Sequence, residues 1–185
     1  MLQELWNFIK NPTYEEDENT DTKYRSKVLL ILLGIGLAAS IILGSLTGVI
    51  ETLFDLDLGK HAIDEALEKY SPLFLFFAAV VLAPLVEEFL FRGPMMFFKD
   101  KPYFKYIFYA LTLIFGFYHI TNFEITTTVL LLSPLLVAPQ ISVGALLGFI
   151  RVRFGLWWAI LLHAVYNLIL VGPIVVLQLL DIPLE

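Results

Sequence analysis

The chain has 185 residues, enough for one domain, but 58% of them are hydrophobic and 15% are aromatic. The mean hydropathy of +0.79 lies outside the range of soluble globular proteins and predicts a membrane protein. Because the chain has no cysteine, disulfides, thiolate metal ligands and a cysteine nucleophile are excluded. The net charge of −6 comes largely from two acidic stretches, EEDENTD and residues 51–69, that we interpret as solvated loops, so no nucleic-acid partner is expected.

The first 27 residues are polar and acidic, and we expect them to form a tail ahead of a membrane-embedded domain at residues 28–185. Within the tail, Leu2, Leu5, Trp6 and Ile9 follow helical spacing. This pattern predicts a short helix lying on the lipid headgroups, with a disordered tail as the alternative.

Five apolar segments follow the tail, and a transmembrane helix needs roughly 20 mostly apolar residues. Residues 28–50, 72–98, 103–120 and 155–180 are clear candidates. Residues 125–150 are ambiguous because Pro134, Pro139 and Gln140 interrupt the apolar run. We interpret them as one kinked span, with two shorter helices as the alternative. The predicted fold class is therefore all-α, a polytopic transmembrane helical bundle of about five spans.

Basic residues between the spans predict the orientation, because positively charged loops stay in the cytoplasm. Lys23, Arg25 and Lys27 precede the first span. The connections after the second and fourth spans carry Lys99, Lys101, Lys105, Arg151 and Arg153. Five crossings with a cytoplasmic N-terminus satisfy this distribution.

Ionisable residues inside apolar segments point to function, because holding a charge at mid-bilayer costs at least about 2.5 to 3.5 kcal/mol. Apart from Lys105 at a helix end, five such residues fall inside the predicted spans: Glu87, Glu88, Arg92, His119 and His163. The third histidine, His61, lies in the acidic loop, and we interpret it as solvated. Residues of this kind normally face a bundle interior, so the five are candidates for one site.

The two glutamates differ in their helical partners. Glu88 and Arg92 are four residues apart with the acid nearer the helix N-terminus, which favours an ion pair. Glu87 is rotated about 100° from Glu88 and has no partner on its own helix. A carboxylate left free in this way suits a general base. The alternative is that Glu87 completes an Arg92 network.

The two membrane histidines each share a helix face with a second residue. His119 follows Phe115 by four positions in FGFYH, and His163 precedes Asn167 by four in HAVYN. One histidine in a helix is usually a hydrogen-bonded core residue, whereas two, in a chain that also buries two glutamates, favour a common polar site. Asn167 could orient His163 or donate its amide N–H to a developing oxyanion.

Straight, upright helices would nevertheless hold Glu87 and His119 apart. Glu87 lies a few ångströms to the cytoplasmic side of the middle of residues 72–98. His119, near the end of residues 103–120, lies about 9 Å toward the other side. Substantial tilt, or a third helix that starts later and runs past Asn122, would be needed to bring them together.

The stretches EEFLFR, FGFYH and HAVYN together resemble the EExxxR, FxxxH and HxxxN motifs of the CPBP intramembrane metalloprotease family. This family includes the type II CAAX prenyl endopeptidases and the bacterial Abi proteins. The resemblance covers residues 72–167, roughly half of the chain. It implies an endopeptidase in the bacterial cytoplasmic membrane that acts on a peptide or protein substrate at the lipid bilayer.

The resemblance also implies roles for individual residues. Glu87 and His119 would activate the water molecule that attacks a peptide carbonyl. His163 and Asn167 would stabilise the oxyanion or complete the site. The matching motif positions Glu88, Arg92 and Phe115 would brace the site.

The motifs leave the use of a metal open. A catalytic zinc commonly takes three nitrogen or oxygen ligands and keeps a position for water. Glu87, His119 and His163 would supply that set, with Glu88 as a base. In the metal-free alternative, Glu87 deprotonates water directly.

Other functions fit the same residues. The fold could serve as a non-catalytic membrane scaffold or bacteriocin-immunity protein. Glu87, Glu88, His119 and His163 could instead form the relay of a proton- or ion-coupled transporter. The two histidines could also be axial ligands to a haem between helices.

Overall fold

A computed structural model describes residues 1–59, 62–180 and 182, and His61 lies outside these residues. The described helices are α1 (Leu2–Lys10), α2 (Thr22–Phe54), α3 (Ala62–Lys69), α4 (Pro72–Phe77), α5 (Ala83–Phe91), α6 (Phe104–Tyr118), α7 (Thr127–Leu136), α8 (Ala138–Phe154) and α9 (Leu156–Leu179). A π-helical turn at Ala78–Leu82 joins α4 to α5, and 3-10 turns follow α5 at Gly93–Phe98 and α6 at His119–Asn122.

Four helical stretches in the described chain are long and apolar enough to cross a membrane: Thr22–Phe54, Pro72–Phe98, Thr127–Phe154 and Leu156–Leu179. They correspond to four of the five predicted spans and confirm the all-α membrane bundle. The predicted span at residues 103–120 is helical as α6, which has only 15 residues before the 3-10 turn. It is therefore shorter than the other four stretches.

The ambiguous segment at residues 125–150 forms two helices within one apolar stretch. Helix α7 ends at Leu136 and α8 begins at Ala138, with Val137 between them. Pro139 lies in the first turn of α8, where backbone N–H groups have no partner within the helix, so the missing N–H of proline costs no hydrogen bond. The expected interruption is therefore present at Val137.

Helix α8 lies at the centre of the bundle, with α2, α6 and α9 packed around it. Its glycines permit close contact with α6. A methyl group added at Gly144 would lie 3.0 Å from the Phe115 ring, and one added at Gly148 would collide with the Phe108 ring. Small residues at these positions let two membrane helices approach closely.

The N-terminal tail packs against the same core. Leu5 and Phe8 of α1 are buried, and the Phe8 ring meets Phe108 edge-on at a centroid distance of 5.0 Å. Leu2 and Trp6 stay exposed on the other side of α1. Helix α1 therefore contacts the bundle through one face and leaves an apolar face uncovered.

The end of the tail is held by Asp17. Its carboxylate accepts hydrogen bonds from the Asn19 backbone N–H, the Tyr24 hydroxyl and the Arg153 guanidinium. Burial alone would raise the pKa of Asp17, but the bonds from Asn19 and Tyr24 and the charge of Arg153 outweigh it. The pKa of Asp17 therefore lies below its ordinary value of 3.8.

Candidate active site

The buried ion pair expected from sequence spacing is present. Glu88 and Arg92 are both 0% exposed, and Arg92 Nη1 lies 3.1 Å from Glu88 Oε1. Arg92 Nη2 also donates to the Gly144 carbonyl at 3.2 Å, and the guanidinium lies 3.9 Å from the centre of the Phe115 ring. The cation is therefore held by a carboxylate, a carbonyl and an aromatic face.

His163 joins this network through α9. Its Nδ1 lies 2.9 Å from Glu88 Oε1, so Glu88 contacts both Arg92 and His163 through one oxygen. An ionised carboxylate only accepts hydrogen bonds, so Nδ1 carries the hydrogen. The other ring nitrogen, Nε2, is left facing Glu87 at 3.9 Å.

His119 is oriented in a similar way. It begins the 3-10 turn after α6, and its Nδ1 lies 2.8 Å from the Phe115 carbonyl. A carbonyl oxygen also only accepts, so the hydrogen is again on Nδ1. His119 Nε2 lies 3.9 Å from Glu87 Oε2. Both imidazoles therefore turn Nε2 toward the same carboxylate oxygen.

Glu87 itself has no hydrogen-bond partner at this oxygen. Glu87 Oε2 is buried, and 3.9 Å to each imidazole nitrogen is too long for a direct hydrogen bond. Glu87 and Glu88 have different partners, as predicted, and the separation expected for straight, upright helices does not keep Glu87 from His119. Helix α6 continues as a 3-10 turn to Asn122, and the Glu87 and His119 side chains approach each other.

Asn167 contacts the first half of the broken helix instead of His163. Its Nδ2 donates to the Ala79 carbonyl in the π-helical turn at 2.8 Å. We expected this amide to orient His163 or to donate to an oxyanion. One of its N–H groups instead donates to the protein backbone.

One cavity of about 460 Å³ connects the predicted residues. Glu87, His119, His163 and Asn167 all line it, while Glu88 and Arg92 are fully buried and do not line it. Helix α3 contributes Ala62 and Ala66 to the lining of this cavity. The chain thus gathers a free carboxylate, two imidazoles and a carboxamide around one space.

Two residues of this region were not predicted. Gln140 lines the cavity, and its Oε1 is buried without a hydrogen-bond partner. Arg151, which we assigned to a loop, is 7% exposed and donates from Nε to the Arg92 carbonyl. Helical spacing could have placed both residues beside the glycines. Four residues of α8 recur every three or four positions and so share one face: Gln140, Gly144, Gly148 and Arg151.

The donor atoms suit zinc chemically, but their placement does not fit it. A carboxylate and two imidazoles oriented by a carbonyl and a second carboxylate are ordinary zinc ligands. Ligand atoms about 2.0 to 2.1 Å from one tetrahedral zinc lie roughly 3.3 Å apart, less than the 3.9 Å between Glu87 Oε2 and Nε2 of either histidine. Among the described residues, no group of three or more His, Asp or Glu side chains is arranged to hold a metal ion.

The family model described as type II CAAX prenyl endopeptidase Rce1-like matches residues 69–169, more than half of the chain. The chain belongs to this family. The matched residues include the four cavity side chains and the Glu88–Arg92 pair, in agreement with the resemblance of the three motifs. No curated protein and no solved structure matches the chain. Family membership and the four apolar helices together indicate an integral membrane peptidase of the CAAX-protease type.

Proposed function

We propose that this chain is an intramembrane endopeptidase that hydrolyses a peptide bond with water activated by Glu87 and His119. One observation carries the proposal: Glu87 Oε2 is buried without a hydrogen-bond partner and lies 3.9 Å from Nε2 of both His119 and His163. A gap of this size admits a water molecule that hydrogen bonds to both sides. Leaving a buried acceptor unpaired is costly unless a ligand completes it.

The proposed reaction starts with a water molecule between Glu87 Oε2 and His119 Nε2. Glu87 takes one proton as the water oxygen attacks the peptide carbonyl carbon, which gives a tetrahedral oxyanion. Glu87 then returns the proton to the amide nitrogen, and the C–N bond breaks. The new carboxylic acid then loses its proton to the released amine, so the products are a carboxylate and an ammonium group.

His163 has a different role in this scheme. Its Nδ1 rests on Glu88, which Arg92 holds in place. When the ring is protonated, its Nε2–H can donate to the oxyanion. The Glu88–Arg92 pair would thus position one imidazole, while the Phe115 carbonyl positions the other.

We also propose a cytoplasmic N-terminus in a bacterial cytoplasmic membrane. The tail segment Asn11–Glu15 and the loop at Lys99–Lys105 line a common surface pocket, and Arg153 pairs with Glu4 and Asp17. The tail and two basic connections therefore lie at one end of the bundle, as the positive-inside distribution requires.

The test uses the full-length protein in liposomes. The probes are two peptides of identical sequence, one carrying a prenylated C-terminal cysteine motif and one lacking the prenyl group, together with a pool of peptides from a digested proteome. In ¹⁸O-water, we expect one labelled oxygen in the new carboxylate of each product detected by mass spectrometry.

The matched control is Glu87→Gln, which keeps the shape of the side chain and removes the base. Equal cleavage by both proteins, or no cleavage of any probe, would contradict the proposal. Ion flux without cleavage would favour the transporter. The use of a divalent metal remains a prediction. It would be tested by measuring activity after chelation and again after zinc is added back.

A further inference from the structure

The helix that carries Glu87 and Glu88 has a break with a specific defect. The Ala83 N–H bonds to the Ala78 carbonyl, five residues back instead of four, as a π-helical turn requires. The next donor in this series would be residue 84, bonding to the Ala79 carbonyl. Residue 84 is proline, which has no N–H. The Ala79 carbonyl is therefore left without its helical donor.

Asn167 supplies the missing donor from another helix. Its Nδ2 lies 2.8 Å from the Ala79 carbonyl oxygen. An unpaired backbone carbonyl has no water to bond to within hydrocarbon, so a neighbouring side chain is one of the few ways to satisfy it. The asparagine thus compensates a defect that Pro84 creates.

A second proline in the bundle shows that the defect can be repaired locally. Pro134 lies inside α7, and the Leu130 carbonyl four residues earlier loses its helical donor. Ser133 Oγ donates to that carbonyl at 2.9 Å. The repair in α7 stays within one helix, whereas the repair before α5 ties that helix to α9.

The hydrogen bond between Asn167 and Ala79 also affects the position of Glu87. Asn167 and His163 lie one turn apart on the same face of α9. Asn167 contacts Ala79 ahead of the break, and His163 contacts Glu88 after it. Two contacts on opposite sides of a break fix both the position and the rotation of α5 against α9. They therefore hold Glu87 at its distance from His163 Nε2.

We propose that Asn167 is a positioning residue, which holds the break before α5 by pairing the Ala79 carbonyl that Pro84 leaves open. This inference rests on the proposed function for its activity measurement but not for its stability measurement. It differs from the oxyanion role that the motif resemblance implies, because the recipient of the amide hydrogen is the protein backbone.

The experiment is a double-mutant cycle in the full-length protein with Asn167→Ala, Pro84→Ala and the double variant. Alanine at position 84 gives the helix its own N–H for the orphan carbonyl. We expect Asn167→Ala alone to lower Tm by about 3 to 10 °C, as loss of a partner for a buried carbonyl predicts. On the Pro84→Ala background, the same change should have less than half of that effect on Tm and on kcat.

Pro134→Ala provides the matched control, because it restores an N–H in α7, away from the hydrogen bond between Asn167 and Ala79. It should leave the effect of Asn167→Ala unchanged. If Asn167→Ala is too unstable to purify, recovery of folded protein in the double variant supports the inference, and failure to recover it contradicts the inference.

An equal loss of kcat on both backgrounds, with Tm unchanged, would overturn the inference and favour an oxyanion donor. If wild type cleaves no probe, the proposed function fails, and the Tm cycle alone still decides the role of Asn167.

Discussion

The two sides of α5 present adjacent glutamates to opposite environments. Glu88 Oε1 lies within hydrogen-bond distance of Arg92 and His163, and the side chain is fully buried. Glu87 Oε2 faces the cavity with no hydrogen-bond partner and with two imidazole nitrogens at 3.9 Å. About 100° of helical rotation is enough to produce this difference.

The two glutamates show how one membrane helix combines stability with chemistry. A buried charge with several partners holds neighbouring helices in place, and removing one partner leaves the other uncompensated. Glu87, which lines the cavity and whose Oε2 has no partner, adds no such support and stays available to a substrate or water. Changes on the cavity side should therefore affect the reaction, and changes on the Glu88 side should affect the fold.

The largest effect is expected for Glu87→Gln on the reaction rate. Loss of a general base should reduce kcat by roughly 10²- to 10⁴-fold. Because no hydrogen bond holds Glu87 Oε2, Tm should change by less than about 3 °C, the effect of roughly 1 kcal/mol. Initial rates and thermal unfolding of the same preparation measure both quantities. If Glu87→Gln lowered Tm as much as Glu88→Gln does, the proposed difference between the two glutamates of α5 would be wrong.

Glu88→Gln should give the largest loss of stability. It leaves the Arg92 cation buried without its carboxylate, which typically costs about 3 to 5 kcal/mol. The activity should fall as well, because His163 loses its charged acceptor. Thermal unfolding in detergent measures the loss.

A control for this variant removes both charges with Glu88→Leu and Arg92→Met. It should be more stable than Glu88→Gln, since no unpaired charge remains buried. A double variant less stable than Glu88→Gln would show that the charge pair is not the source of the stability.

A smaller effect is expected on the cavity side for Gln140→Leu. The buried Oε1 of Gln140 has no partner, so a substrate N–H can bond to it. Losing one neutral hydrogen bond of about 0.5 to 1.5 kcal/mol should raise KM roughly 2- to 10-fold with Tm little changed. Gln178→Leu is the control, because Gln178 bonds to Leu67 outside the residues that line the cavity. An equal rise of KM in both variants would contradict a substrate contact at Gln140.

The smallest effect is expected far from both sides, for Asp17→Asn in the tail. Since the pKa of Asp17 is lowered in the folded protein, its contribution to stability is present above about pH 4 and is lost as the pH falls below that value. The protection factors of the α1 amides, which are exchange rates corrected for the intrinsic rate at each pH, should therefore fall at acidic pH in wild type. In Asp17→Asn, the protection factors should be lower already at neutral pH and should depend less on pH, with the rate of peptide cleavage unchanged. A variant with the wild-type pH dependence would show that another group holds the tail.

Much of the site could be predicted because it depends on local periodicity. Four-residue spacing predicted the Glu88–Arg92 pair, and polar residues in apolar segments identified His119 and His163. Gln140 and Arg151 were missed because one was treated as a helix interruption and the other as a loop charge. Their importance depends on which neighbours α8 meets, and these neighbours are distant in sequence.

By itself, the sequence determined the all-α membrane fold, the family and the set of polar residues placed in apolar helices, because these follow from hydropathy, helical spacing and short motifs. Tertiary structure alone decided that both imidazoles turn Nε2 toward Glu87 and that Asn167 pairs with Ala79. The physical reason is that a side chain's hydrogen-bond partner depends on helix rotation and on breaks in the backbone. Both are set by packing between helices that are far apart along the chain.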